Sequence, residues 1–289
     1  MTSRLCPCGL LPPAPKKAML RPLERLLARV ERRQLLLAQT SPATKVALRS
    51  LFLDFGAAVR RGDELPPIWD VGFRVFSEHD EDGIILFLLA ALGIESRSFV
   101  DIGAGAGVIA SNCANLAFNL GFDGLFVESN ERYVAYGREV YARHADTKSR
   151  PPAFRQIVAE PDNVDGVLAD AGLSGSIDLL SIDIDGNDAW IWQAISAVSP
   201  RIVVIEARLG RGKVLAPYVP AGESAEGPIG ASPGAVTDLG ERLGYRFVGS
   251  NYHGYNLFYL RADLGQGLVP TLPLDELWAQ VETAYGPHP

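Results

Sequence analysis

The sequence predicts an α/β protein: a doubly wound, mostly parallel seven-stranded sheet ending in an antiparallel hairpin, with helices added at the N-terminus. Three observations carry this reading. From residue 98 onward, short runs rich in Val, Ile and Phe alternate with segments of helical period, as βα units do. The run Phe99-Val-Asp-Ile-Gly-Ala-Gly-Ala-Gly107 leaves an apolar strand through alternating glycines. Such glycines let the main chain turn tightly into a helix and let a ligand approach it closely. Finally, apolar stretches at 245–249 and 256–261 flank a short Asn/His/Gly turn and read as a hairpin. Five parallel βα units closed by that hairpin make a Rossmann-like sheet, whereas a dinucleotide-binding domain would more often keep its sixth strand parallel.

Taken in order, residues 1–18 are Pro-rich and aperiodic and are expected to be a disordered leader, with Met19 as a second possible start. Residues 20–39 place Leu23, Leu26, Leu27, Val30 and Leu37 at helical spacing. Thr40-Ser41-Pro42 stops that helix and caps another at about 43–60, so that 19–75 forms a helical cap or a dimer contact. The domain proper is expected over 76–289. It opens with Ser77-Glu-His-Asp-Glu-Asp-Gly83, rich in helix N-cap candidates, before the amphipathic run 84–92. Strands are expected at 98–102, 124–128, 154–158, 177–183 and 201–206, with helices at 108–120, 131–144, 164–171, 188–197 and 235–243. Residues 209–233, full of Gly and Pro, form a long loop above the sheet, the kind that is functional or disordered in a compact domain.

Bulk properties narrow the function. No apolar run reaches the roughly 18 residues of a membrane span, and the opening residues lack the apolar core of a secretory signal. Three cysteines cannot build a disulfide framework, so a cytoplasmic location is expected, and Cys6-Pro-Cys8 has no partner pair for zinc. Residues 1–61 hold 12 Lys/Arg against Glu24, Glu31 and Asp54, a net +9, which leaves −16 for the rest of a chain whose total is −7. So acidic a body speaks against nucleic acid. The basic helices read as a solvated face, or as a contact with an anionic partner, a membrane surface or a second copy of the chain.

Ligands of open parallel sheets bind beyond the carboxyl ends of the strands, so the residues there are the candidates for chemistry. Asp101 lies just ahead of Gly103, Gly105 and Gly107, where a ligand ammonium could sit. Val108 occupies the place of the third fingerprint glycine, which favours S-adenosylmethionine over a dinucleotide. Glu128 ends the second strand, suited to accept both ribose hydroxyls. Glu160 follows the third, at an adenine edge or as a plain turn cap. Ser181-Ile-Asp-Ile-Asp-Gly-Asn-Asp188 crowds three carboxylates at one strand exit. Alternation would set Asp183 and Asp185 on one side, as general base, as Mg²⁺ ligands with Glu206, or opposite a sulfonium. Asp188 also reads as the first-turn acid of its helix, and Glu206 as an ion-pair partner of Arg208. His253, in the hairpin turn, offers a second base or a solvent-facing turn residue. Catalytic roles are thus expected of Asp183, Asp185 and His253. His144 reads as a surface helix residue.

These motifs resemble the class I S-adenosylmethionine-dependent methyltransferases, and among them the FkbM-like group. The likeness rests on Val100-Asp-Ile-Gly-Ala-Gly-Ala-Gly107, Phe126-Val-Glu128 and Asp178-Leu-Leu-Ser-Ile-Asp-Ile-Asp-Gly-Asn-Asp188. The last is similar to the family's Lys-Ile-Asp-Val-Glu-Gly-x-Glu run, with Asp185 and Asp188 where glutamates are usual. The resemblance implies that Gly103, Gly105 and Glu128 bind the cofactor and that the segment after Ile182 faces a small-molecule acceptor. It further implies transfer to a hydroxyl of a small or sugar-bearing metabolite, with Mg²⁺ held by acids as in some sugar O-methyltransferases. An NAD(P)-dependent oxidoreductase and a non-catalytic cofactor-binding domain are the competing readings.

Overall fold

The computed structural model describes residues 30–224 and 229–285. The expected leader and the first half of the first basic helix lie outside them. The chain divides into two compact units, residues 1–44 and 45–289. In the first, helix α1 is described over residues 30–39. It stops where the sequence suggested: the Thr40 hydroxyl donates back to the Leu36 carbonyl, and Ser41 Oγ accepts the Thr44 N–H to start α2 (Pro42–Arg61).

The second unit is built on one seven-stranded sheet of order β3-β2-β1-β4-β5-β7-β6. The strands are β1 (Ser98–Ile102), β2 (Asp123–Glu128), β3 (Ala153–Gln156), β4 (Gly175–Ile182), β5 (Val198–Glu206), β6 (Tyr245–Ser250) and β7 (Asn256–Arg261). Six run in one direction, and β7 runs against both its neighbours, so the sequence-derived sheet and its terminal hairpin stand. The helices are α3 (Glu81–Leu92), α4 (Ala114–Asn119), α5 (Glu131–Arg143), α6 (Val164–Asp170), α7 (Asp188–Ala194), α8 (Pro233–Arg242) and α9 (Leu274–Tyr285). Chain order reverses between β1 and β4, where Ile102 pairs with both Val127 and Ile182. At such a reversal the following loops diverge to opposite faces and leave a crevice at the strand ends. Among the described residues, no helix is long and apolar enough to cross a membrane.

The apolar runs behave as parallel strands covered on both faces: Val100, Ile102, Leu125, Leu180, Ile182, Val203 and Ile205 are all fully buried. Two expectations are corrected. The run 84–92 is not amphipathic, because α3 is buried on every side, with Phe55 of α2 meeting Phe87 edge-on at 5.2 Å. The helix expected at 108–120 begins only at Ala114. Ala110 there adopts a positive φ of 52°, and Ser111 Oγ takes the N–H groups of Cys113 and Ala114, which delays the helix by two turns. His144 is half-buried rather than a surface residue, its ring packed against Phe118 at 4.9 Å.

A buried ion pair ties the far end of the sheet together. Asp178 on β4 accepts the N–H groups of Ser96 and Arg97 and pairs with Arg201 of β5 at 2.7 Å. Arg201 in turn satisfies the carbonyls of Leu92 and Gly93 at the end of α3. Removing one charge of a buried pair strands the other. Arg201→Met is therefore expected to lower unfolding free energy by about 3–5 kcal/mol in urea titrations, whereas loss below 1 kcal/mol would mean the pair is dispensable.

Candidate functional site

The turn after β1 must pass within van der Waals distance of the exit of β4. Gly103 has φ 84°, and a Cβ there would lie 1.6 Å from the Asp183 carbonyl oxygen. Only glycine satisfies both the backbone angle and the contact. Two residues on, Gly105 has φ 54° and faces open space, and its N–H donates to Glu128 Oε2 at 2.8 Å. Glu128 also accepts the Asn130 N–H at 2.6 Å, so the acid at the end of β2 is fixed toward the glycine turn by main-chain donors. Gly103, Gly105, Glu128, Glu160, Asp183 and Asp185 all line one cavity of about 430 Å³ at the β1/β4 reversal.

Two of the residues expected beside them are elsewhere. Asp101 is buried under the turn, where it accepts the Ser111 hydroxyl at 2.9 Å. Burial pushes its pKa up to about 6, against the pull of that bond. Gly107 lies outside the cavity lining, and its carbonyl accepts the Tyr141 hydroxyl at 2.5 Å. Both residues shape the turn rather than the cavity wall.

Glu160 reaches the cavity but also does something its sequence position did not suggest. Its Oε1 accepts the Tyr218 hydroxyl at 2.8 Å and the Ala221 N–H at 3.0 Å, and these bonds hold its pKa below the ordinary carboxylate value. The Asn187 amide pairs with both main-chain groups of Val219, and Trp190 Nε1 donates to the Ala216 carbonyl. The Gly/Pro-rich segment 209–233, where described, is thus strapped over the strand ends, with Val219 and Ala221 forming part of the cavity wall.

The acidic run is split by its own turn. The Asp183 N–H still bonds the Ile102 carbonyl, but β4 ends at Ile182 and Asp185 adopts a left-handed φ of 58°. Strand alternation therefore no longer applies, and Asp185 is exposed at the tip instead of beside Asp183. Asp188 takes the vacated place. Its two oxygens accept the N–H groups of Ile184 and Gly186, at 2.8 and 2.9 Å, closing the turn. The carboxylate oxygens of Asp183, Asp188 and Glu206 lie within 4.8 Å of one another. Of the three acids read from the sequence as metal ligands, Asp183 and Glu206 stand together, and the third acid beside them is Asp188, not Asp185. Burial first, and then Glu206, pushes Asp183 up to about 8; burial, and then Asp188, pushes Glu206 up to about 7. Asp183 and Glu206 face each other across this short gap, an arrangement in which two carboxyls can share a proton.

His253 sits in the hairpin turn against His79, ring centroids 4.1 Å apart, and burial together with that neighbour lowers its pKa. It lines neither the cavity above nor a second one of about 500 Å³, whose wall includes Asp185, Glu206, Arg208 and Tyr255. The hairpin reaches the site through Tyr255 instead. Its turn is held by a residue not singled out from the sequence: buried Glu81 accepts the amides of Asn251 and Asn256 at 2.8 and 2.9 Å. The signal for this was present in the acidic run before α3, but its partner lies 170 residues away.

No family model and no curated protein matches the chain. Solved structures do. Methyltransferases are among them. The magnesium protoporphyrin IX methyltransferase of Synechocystis PCC 6803, solved with bound S-adenosylmethionine, is 14% identical over 63% of this chain and 77% of its own, with a TM-score of 0.40. A S-adenosylmethionine-dependent methyltransferase from Aquifex aeolicus matches at 14% identity, over 71% and 97%, with a TM-score of 0.38. The CcbJ methyltransferase of Streptomyces caelestis matches at 16%, over 68% and 96%, with a TM-score of 0.40. With each TM-score below 0.5, the reading of function rests on the site itself.

The acid cluster has a measurable consequence for stability. The folded-state pKa of Asp183 is raised above its unfolded value, so the fold favours the protonated form: its contribution is present at low pH and lost as pH rises through about 8. Asp183→Asn is therefore expected to be close to wild type in urea stability at pH 5 and more stable by roughly 1–3 kcal/mol at pH 9. A variant less stable than wild type at pH 9 would contradict this.

Proposed function

We propose that the chain is a S-adenosylmethionine-dependent methyltransferase of FkbM-like type that acts on a hydroxyl of a small or sugar-bearing metabolite in a reducing compartment. The observation that carries this is the shared cavity: an open glycine backbone at Gly103 and Gly105, Glu128 opposite, and Asp183 in the same wall. The residues present fit the cofactor. Gly105 leaves room where a side chain would intrude, and Glu128, after accepting main-chain donors, retains lone pairs for ribose hydroxyls. Ile157, Val158 and Ala159 supply an apolar shelf for a flat base. When bound, the cofactor supplies an electrophilic methyl group on a sulfonium.

The protein's part is positioning and proton transfer. Asp183 lines the cofactor cavity and faces Glu206, which lines the second cavity, so the pair spans the place where an acceptor hydroxyl would meet the methyl group. A carboxylate poised near neutrality is suited to take the hydroxyl proton as the oxygen attacks, and Glu206 can share it. The strap at 216–221, fixed by Glu160, Asn187 and Trp190, walls the cavity on one side and would limit the access of bulk water to the reacting atoms. The cluster's oxygens also suit a hard cation. Magnesium would be held by Asp183 and Glu206 with Asp188 behind, supplying charge to a deprotonated acceptor oxygen.

Isothermal titration with S-adenosylhomocysteine tests the cofactor assignment. Wild type is expected to bind, and Gly105→Val, its fold verified by circular dichroism, to lose more than about tenfold in affinity, ~1.4 kcal/mol. Unchanged affinity would remove the assignment. For turnover, Asp183→Asn should keep cofactor affinity while kcat falls about 10²–10⁴-fold. The wild-type rate should rise with pH to a plateau above about 8, as the base ionises.

A further inference from the structure

The second cavity differs in character from the first. It combines a cation, exposed apolar side chains and the edge of the acid pair in about 500 Å³. Asp185 lines both cavities, so an occupant of one adjoins an occupant of the other. We infer that this cavity receives a ring-bearing hydroxy acid, with its anionic group on Arg208, its ring against Tyr255 and Ile229, and its hydroxyl toward Glu206. The inference rests on the methyltransferase reading for what happens to that hydroxyl, and goes beyond it in naming the acceptor class.

Arg208 is the deciding residue. The main chain on either side of it is fixed, Ala207 N–H bonding the Tyr255 carbonyl at 2.8 Å and Arg208 N–H the Ala231 carbonyl at 2.9 Å. Its guanidinium, however, is exposed and forms no ion pair among the described residues. The alternative of an Arg208–Glu206 pair, open at the level of sequence, is not what the fold adopts. Nearby Arg211, by contrast, is committed to Glu282 and the Trp278 ring. A planar fork of donors left open in a cavity wall is matched to carboxylate or phosphate. The acids on the cavity floor would repel such an anion, so binding places it at the Arg208 end and leaves the uncharged hydroxyl for the Glu206 end.

The apolar part of the wall selects the body of the ligand. Tyr255 is 41% exposed and Ile229 44% exposed, both large apolar surfaces left facing the cavity. A ring laid on them would be removed from water on one face, and the tyrosine offers stacking in addition. A simple amine is the chemical opposite: it would be drawn to the carboxylates and repelled by Arg208.

The test uses the full chain with and without S-adenosylhomocysteine and three matched sets of probes: 3- and 4-hydroxybenzoate, the corresponding hydroxybenzyl alcohols and the corresponding hydroxybenzylamines. Affinities are measured by ligand-observed magnetic resonance. Wild type is expected to bind at least one acid about tenfold more tightly than its alcohol, 1.4 kcal/mol. Arg208→Gln should abolish the preference and Arg208→Lys retain part of it, both with cofactor affinity unchanged. Equal affinity for acid and alcohol in wild type, a preference for the amine, a preference that survives in Arg208→Gln, or no binding of any probe would each overturn the inference. Absence of an acid preference in wild type that still binds S-adenosylhomocysteine sinks this inference alone. Acid preference without S-adenosylhomocysteine binding would sink the methyltransferase reading and leave the anion site standing.

Discussion

The contact between the turn after β1 and the exit of β4 governs the rest of the site. Gly103 presses its α-carbon against the Asp183 carbonyl, which leaves no room for any side chain. Because the two strands are neighbours at the point where chain order reverses, this one approach sets the depth of the crevice and the position of the acid beside it. The candidate site is laid out from that point: Gly105 open to the cavity, Glu128 bonded to its N–H, and Asp183 in the opposite wall.

The cavity is stabilised at one end and strained at the other. Main-chain donors satisfy Glu128 and Asp188, and the carbonyl ladder of β1 continues into Asp183. Asp183 and Glu206, by contrast, share a crowded and partly dry space in which they cannot both ionise comfortably. Natural sequences retain such arrangements where a shifted carboxyl is useful, and the surrounding core, with Ile182, Val204 and Ile205 fully buried, bears the cost. The strap over the strand ends follows the same logic. Its Gly/Pro-rich sequence has little structure of its own, and side chains from β3, β4 and α7 exits hold it through Glu160, Asn187 and Trp190.

Local rules account for what was legible. Strand and helix positions, the glycine turn, Glu128 and the hairpin follow from periodicity and turn chemistry, which act over a few residues. The errors arise where a side-chain hydrogen bond or a tertiary contact overrides the local pattern. Ser111 delays the helix after the glycine turn because Asp101 and the following N–H groups claim its hydroxyl. Asp185 is turned away from Asp183 to the exposed tip because Asp188 reaches back to close the turn, overriding strand alternation. α9 was not foreseen at all, and its Leu277 and Val281 find their burial only against the finished sheet.

The amino-acid sequence by itself determined the α/β class, the order of elements and the chemical types gathered at the strand ends, since these depend on residue spacing and backbone preference. Tertiary structure alone decided which acids meet, that Glu81 holds the hairpin from 170 residues away, and that Arg208, beside Tyr255, forms no ion pair among the described residues. Those outcomes are set by strand order and by competition among hydrogen-bond donors in three dimensions, neither of which is written into local spacing.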